Sequence, residues 1–298
     1  MSRINDLLEL VRAPAVLTVL GDTLAGGSAA GHALNGRRIV LPLASACLYA
    51  GGMALNDYAD RETDDRERPE RPIPSGRISA RNALTVAAAL TVAGLGLSAA
   101  GGGRRAFAVG VPLAASIWTY DLLAKNHAVS GALTMGSCRA LDVLMGAGAG
   151  HLRPALAAAG IVGGHTVAIT LLSRGEVNGT TTTTASGVAA GTGLLASAIV
   201  AGAVTAGSTG SRNQILAVLG ATAAYAARCG PAQVRAARNP VAKNVLEATK
   251  AGIRAMIPLQ AALTLRHGNV AAAGVLASVD LFGKIMRSRP RNRRMSES

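Results

Sequence analysis

The sequence predicts an all-α fold, a polytopic bundle of transmembrane helices, and three observations carry that prediction. Half of the residues are hydrophobic and only 15% are charged, a balance well to the apolar side of soluble domains. Glycine, at 36 residues, is abundant beside many alanines, which suits helices packed closely in lipid better than a core surrounded by water. The apolar residues fall into about ten runs, each near the roughly 20 residues that cross a bilayer at 1.5 Å per residue. The connections between runs reach only about 25 residues, too short for a soluble domain, so one membrane domain over 1–298 is expected.

Residues 1–13 set Arg3, Asp6, Glu9 and Arg12 around leucines, an amphipathic lead-in helix. It lacks the short apolar core and small-residue cleavage site of a signal peptide and is expected to be retained. The runs then lie at roughly 14–34, 39–56, 83–102, 106–122, 130–150, 154–173, 186–206, 213–229, 247–264 and 268–285, the last three being the least sharply apolar, before a basic tail at 286–298. In the fifth run Arg139 and Asp142 are ionisable groups at membrane depth, which must face the bundle interior and, three apart on a helix, are expected to pair. His165 in the sixth reads as a hydrogen-bonded structural residue. The threonine run 180–184 reads as a loop or the entry to the seventh helix. Gly27/Gly31, Gly146/Gly150, Gly160/Gly164 and Gly187/Gly191 have the small-xxx-small spacing of close helix contacts. Cys47, Cys138 and Cys229 show no metal or disulfide spacing and read as small buried hydrophobes.

Orientation follows from the basic residues. With ten runs and the N-terminus inside, about 21 Lys and Arg fall on the cytoplasmic side and about seven opposite. The net charge of +14 flanks apolar runs, so anionic headgroups are the expected partner of that charge and nucleic acid is not. The expected setting is a multi-pass protein of a bacterial inner membrane with its active face cytoplasmic.

That orientation gathers the polar connections 57–82, 121–129, 174–185 and 230–246 on one face. The first carries Asp57, Asp60 and Asp64 at i, i+3 and i+7. If the apolar helix before them runs on for two more turns, all three project from one stripe beside Asn56. Three carboxylates so crowded repel unless a cation lies between them, and Mg²⁺, which keeps waters and phosphate oxygens, is the usual solution. Asp65, Glu62, Glu67 and Glu70 point elsewhere and are expected to meet neighbouring arginines. Arg68, Arg71 and Arg77 interleave with Pro69, Pro72 and Pro74, and Gly76 allows a turn, which reads as a stiff basic flap over the carboxylates. Lys125 and Asn126 follow the fourth run. Carboxylate-held Mg²⁺ with converging Lys and Arg is what a departing pyrophosphate requires.

The segment Asn56-Asp57-Tyr-Ala-Asp60-Arg-Glu-Thr-Asp64, followed by Arg71-Pro-Ile-Pro-Ser-Gly-Arg77-Ile-Ser79, closely resembles the first aspartate-rich signature of the UbiA-type intramembrane prenyltransferases. Leu10-Val-Arg12-Ala-Pro14, Tyr120 and Lys125 extend the likeness, and the run layout follows it from about 10 to 265. The resemblance implies a bundle of about nine spans around a central lipid-open cavity. It also implies a polyprenyl diphosphate held through Mg²⁺ and a prenyl group passed to a lipophilic, typically aromatic, acceptor. On it, Asp57, Asp60, Asp64 and Lys125 are the expected catalytic residues. Asn56, Arg68, Arg71, Arg77, Lys125, Asn126 and Arg174 are the expected diphosphate contacts, and Asp57, Asp60, Asp64 and Glu176 the metal ligands.

The second acidic motif of that family is thin here. The matching loop reads Ser173-Arg174-Gly175-Glu176-Val177-Asn178-Gly179, with a single carboxylate, a degeneracy that resembles the EboC-type subgroup. Glu176 with Asn178 offers one Mg²⁺ position, and the Arg174 fork offers a direct phosphate contact in place of a second ion. Two functions therefore stand side by side: Mg²⁺-dependent prenyl transfer, and a non-catalytic or transport-coupled binder of isoprenoid or lipid phosphates that keeps only the first motif. A transporter with an acidic ion site is a third, which gives the arginine flap no task. Aromatic residues to stabilise an allylic cation are few: Tyr58, Trp118, Tyr120, Tyr225 and a few others.

Overall fold

The computed structural model describes residues 3–34, 36–205 and 211–288, and every regular element among them is helical. Beyond the end of the last helix, the predicted basic tail lies outside the described residues. In chain order the helices are α1 (Arg3–Leu10), α2 (Ala13–Val16), α3 (Leu20–Ala29), α4 (Leu41–Glu67), α5 (Ala80–Thr119), α6 (Ala128–Ala147), α7 (Leu152–Ser173), α8 (Thr182–Thr205), α9 (Arg212–Arg238), α10 (Ala242–Arg266) and α11 (Val270–Ser288). Two predicted runs, 83–102 and 106–122, are the arms of α5. The chain reverses at Gly103, whose φ of 65° and ψ of −162° a side chain would resist. Trp118 Nε1 then donates to Thr91 Oγ1 across the arms at 3.2 Å.

Five segments are long and apolar enough to cross a membrane: Gly36–Glu67, Ala80–Ala124, Ala149–Ser173, Thr182–Thr205 and Arg212–Arg238. Within the second and fourth of these only 22% and 17% of the most apolar stretch is buried, so side chains such as Val92 and Leu194 face outward. Apolar surface on this scale is incompatible with water and fits lipid. The protein is an integral membrane protein.

Neighbours in sequence pack in succession from α4 to α11, and α10 returns to α3 and α7. Helix α3 lies at the centre, touching α4, α6, α7, α10 and α11. The first predicted run, 14–34, is not one helix. The backbone leaves the helix at residues 17–19, and the freed Thr18 carbonyl accepts from Arg139 Nη2 and Gln260 Nε2, both at 2.8 Å. Irregular backbone at this depth persists because side chains satisfy it. Arg139 also corrects its expected pairing. Its Nε lies 2.9 Å from Asp22 Oδ2 on α3, while Asp142 accepts from Ser45 Oγ of α4 at 2.5 Å.

His165 is fully buried, with Nδ1 at 2.9 Å from the Tyr225 hydroxyl and Nε2 at 3.0 Å from the Gly252 carbonyl. That is a structural arrangement joining α7, α9 and α10. Helix α8 begins inside the threonine run, where Thr181 Oγ1 accepts from the Thr184 N–H. The glycine spacing is only partly informative. Gly187 and Gly191 meet nothing, whereas a Cβ on Gly26 would overlap the Val143 carbonyl and one on Gly146 the Thr23 backbone. Gly136 and Gly163 form the second contact, where a Cβ on either would fall 2.9–3.0 Å from the other's carbonyl oxygen. These two pairs set how closely α6 approaches α3 and α7.

Gly146→Ala is expected to force α6 from α3 and to lower stability by about 1–3 kcal/mol. Gly187→Ala should change it by less than about 0.5 kcal/mol. Thermal unfolding of the two variants in detergent checks the contrast.

Candidate functional site

The polar connections gather at one end of the bundle, as the charge distribution predicts. Helix α4 continues past its apolar part to Glu67, which carries Asp57, Asp60 and Asp64 on one stripe. Asp57 and Asp64 are each only 4% exposed. They share one cation: Arg71 Nη1 lies 2.6 Å from Asp64 Oδ2 and 3.4 Å from Asp57 Oδ1. Arg12 reaches the same Asp57 oxygen at 3.3 Å, and Lys125 Nζ takes Asp60 Oδ1 at 2.6 Å and the Asn56 carbonyl at 3.5 Å. The mutual repulsion anticipated for the carboxylates is thus answered by three protein cations. Glu62 pairs with Arg61, as expected of a peripheral carboxylate.

The flap is seated by its own chemistry. Gly76 turns the chain at φ 72°, Ile78 N donates to the Pro72 carbonyl at 2.9 Å, and Ile78 packs with Leu10, Ala54 and Leu55. Arg77 is committed differently from Arg71. It donates to Asp6 and Glu9 at 2.7 Å and to the Glu70 carbonyl, and the hydrogen bond to Glu9 above all raises its pKa. It therefore ties the flap to α1 and does not join the aspartate stripe. Arg68 is exposed.

A single π turn, Tyr120–Ala124, ends the second arm of α5 and is closed by Lys125 N to the Tyr120 carbonyl at 3.0 Å. Such turns gather at functional sites. Here consecutive Tyr120 and Asp121 both border one cavity and Lys125 turns back to the stripe. Arg174 donates to the Lys125 and Asn126 carbonyls at 3.1 and 3.3 Å, so it holds this loop to the 174–181 loop. Asn126 itself is exposed. Glu176 is half-buried across the face; burial raises its pKa against a Thr249 hydrogen bond and the charges of Lys250 and Arg68. Among the described residues no three His, Cys, Asp or Glu converge on one metal position, neither the three aspartates nor a set with Glu176.

Below the stripe a cavity with roughly 490 Å³ of empty space, its open mouth included, runs between α4, α5 and α6. Its walls are mainly apolar, among them Leu48, Met53, Leu113 and Met135, with Tyr49 and Tyr120 as the aromatic faces. Cys138 borders it too, as a buried residue of the core cluster with Leu113 and Met145. Three participants escaped sequence reasoning. Arg12 carries a signal in its backbone, φ 46° in a residue with a Cβ, a strain that tends to mark functional positions. Tyr49 and Asp121 are ordinary residues in their local pattern, and only the tertiary packing singles them out.

Because ionising Glu176 in the fold is disfavoured, its neutral form contributes stability below the unfolded carboxylate range, and this is lost as pH rises through the folded value. Without divalent ions, Glu176→Gln should raise the Tm by about 1–2 °C at pH 8 and leave it unchanged near pH 4. Scanning both proteins at the two pH values is the check.

Comparison with known proteins places this arrangement. The chain is 44% identical over 99 residues to the digeranylgeranylglyceryl phosphate synthase of Ignicoccus hospitalis, a match covering 32% of each chain. It is 32% identical over 149 residues to the Metallosphaera sedula protein of the same name, covering 48% of this chain and 50% of that one. In the first of these the chain spans about a third of its relative's length. The fold agrees with a UbiA homolog from Archaeoglobus fulgidus bound to GPP and Mg²⁺, with a TM-score of 0.63 and 16% identity over 90% of this chain and 99% of that one. An apo UbiA homolog from Aeropyrum pernix K1 agrees at a TM-score of 0.64 and 16% identity, over 83% and 96%. The profile of the UbiA prenyltransferase family matches residues 17–246, and with the aspartate stripe standing over an apolar cavity, the chain belongs to that family.

Proposed function

We propose that this protein is an intramembrane prenyltransferase that moves a prenyl group from a polyprenyl diphosphate to a hydroxyl of a lipophilic glycerophosphate acceptor. The observation that carries the reading is the carboxylate stripe with its three cations standing next to the Met53, Tyr120 and Asp121 end of the apolar cavity, to which Asn56 is joined through Asp121. The acceptor class follows the names of the relatives, a glyceryl phosphate product, in preference to the aromatic ring that the family resemblance suggested. The positive-inside rule supports a cytoplasmic position for the site.

The donor set fits Mg²⁺. The point filled by Arg71 Nη1 lies between hard oxygens of Asp57 and Asp64, and two carboxylates completed by phosphate oxygens and water suffice for this ion. Asp57 and Asp64 would hold it, with Asp60 beside them on the stripe, and when bound it neutralises charge on the diphosphate and improves the leaving group. Arg12, Arg71 and Lys125, released from their carboxylates, supply a ring of donors for the phosphate oxygens. Asn56 fixes the start of the stripe through Asp121. The prenyl chain lies along Leu48, Met53, Leu113 and Ile117, which keeps water from the allylic carbon while Tyr49 and Tyr120 present faces to its developing charge. Arg174 joins the two loops through the Lys125 and Asn126 carbonyls, and its fork of donors adds a further phosphate contact from that position.

One observation favours the alternative of a binder without turnover: Glu176 is the single carboxylate of its loop and stands apart from the stripe. Turnover decides between them. With Mg²⁺, labelled geranylgeranyl diphosphate and geranylgeranylglyceryl phosphate, the protein in nanodiscs should release pyrophosphate and form the ether lipid. Chelation by EDTA or Asp60→Asn should abolish the reaction, and Lys125→Ala should slow it at least about 100-fold. Tight diphosphate binding with no product across glycerophosphate and aromatic acceptors would establish the binder instead.

A further inference from the structure

The cavity borders on two carboxylates that prenyl transfer as set out above leaves without a chemical task, Asp121 at the end nearest the stripe and Asp142 beside Ser45. Transfer to a hydroxyl requires that the acceptor lose a proton as its oxygen attacks carbon. A base for that proton must face the apolar space and keep a lone pair free, close to the diphosphate end. Asp142 borders the space but fails on the other two. It lies against the Asp22–Arg139 pair in mid-bundle, and its carboxyl is engaged by both Ser45, at 2.5 Å, and Asp22. The stripe carboxylates fail as well, since in the proposed reaction they are given over to the metal.

Asp121 meets the requirement. It is 3% exposed, and its Oδ1 accepts from Asn56 Nδ2 at 3.0 Å, which fixes the carboxylate one residue from Asp57. Its Oδ2 accepts no hydrogen bond from the described residues and lies over Gly52, 3.7 Å from where a Cβ would stand. Gly52 and Asp121 both border the cavity, and the absence of a side chain on α4 lets Ile117 pack against Gly52, 2.8 Å from where a Cβ would stand, beside that oxygen. The π turn is what brings Asp121 round to this position next to Tyr120.

We infer that Asp121 is the proton acceptor for the acceptor hydroxyl, an assignment that rests on the prenyl-transfer reading. The acceptor O–H bond breaks and its proton passes to the free oxygen of Asp121. The oxygen's electron pair forms the new C–O bond to the allylic carbon, and the bond from that carbon to the diphosphate breaks with its pair leaving on pyrophosphate. The proton on Asp121 departs to water when the products leave.

The test uses the full chain in nanodiscs with Mg²⁺, labelled geranylgeranyl diphosphate, and geranylgeranylglyceryl phosphate or its analogue with a thiol in place of the accepting hydroxyl. Asp121→Asn should lower kcat for the hydroxyl acceptor by at least about 100-fold and leave the KM for the diphosphate within about threefold. The thiol, ionised far more readily, should narrow the defect to less than about tenfold. Asp121→Ala opens the space of a carboxylate, and added formate should restore its rate at least tenfold. The assignment is overturned by Asp121→Asn retaining kcat within threefold of the parent, or by Asp121→Ala activity that formate leaves unchanged. Absence of transfer by the parent protein would remove the prenyl-transfer reading and this assignment together, whereas full parent activity with an unimpaired Asp121→Asn removes the assignment alone.

Discussion

A carboxylate with no access to solvent sits on the axis of this bundle, and the positions of four helices follow from how it is satisfied. Asp22 of α3 is bound by Arg139 of α6 and by Gln260 of α10, whose Nε2 lies 2.7 Å from Oδ1. The same two residues hold the Thr18 carbonyl, and Asp142 beside them links to α4 through Ser45. Taking one member from such a cluster strands a charge in a medium that cannot solvate it, at a cost of about 3–5 kcal/mol for a buried pair. The cluster therefore specifies one arrangement of α3, α4, α6 and α10 where apolar packing alone would accept several.

The break at residues 17–19 belongs to the same constraint. It turns the chain so that the residues before it run along the polar end of the bundle, where Arg12 meets Asp57. The polar end is thus aligned with the mid-bundle cluster by a short irregular segment, and the cavity reaches from Asp121 to Asp142 between them. At the polar end three acidic and three basic side chains neutralise one another. A diphosphate with its metal brings charges of both signs, so each can replace a partner of like charge and leave the local balance unchanged.

Much of this was legible in the sequence for a physical reason: hydropathy and the helical period act over short distances. The runs, the extension of α4 through Asp64, the flap turn at Gly76 and the clustering of polar loops at one end all follow from such local rules. The features that were not legible depend on residues far apart in the chain. Arg139 has Asp142 one helical turn away but binds Asp22, because only the folded bundle makes that contact available. Arg77 belongs to the same flap as Arg71 yet lies against Asp6 and Glu9, and Glu176 meets Thr249 of α10. Glycine spacing misled at Gly187 and Gly191 because it records the composition of lipid-packed helices as well as their contacts.

The tether between the flap and α1 places the bilayer itself among the parts of the site. Ile4, Leu7 and Leu8 turn outward on α1, an apolar edge suited to the headgroup boundary, while Asp6 and Glu9 of the same helix hold Arg77. Lipid that draws this edge in also holds the flap, and with it Arg71, over the aspartates. The packing and surface charge of one leaflet thereby become a setting on substrate entry, so an amphiphile that loosens that leaflet changes access to the site without touching a residue inside it.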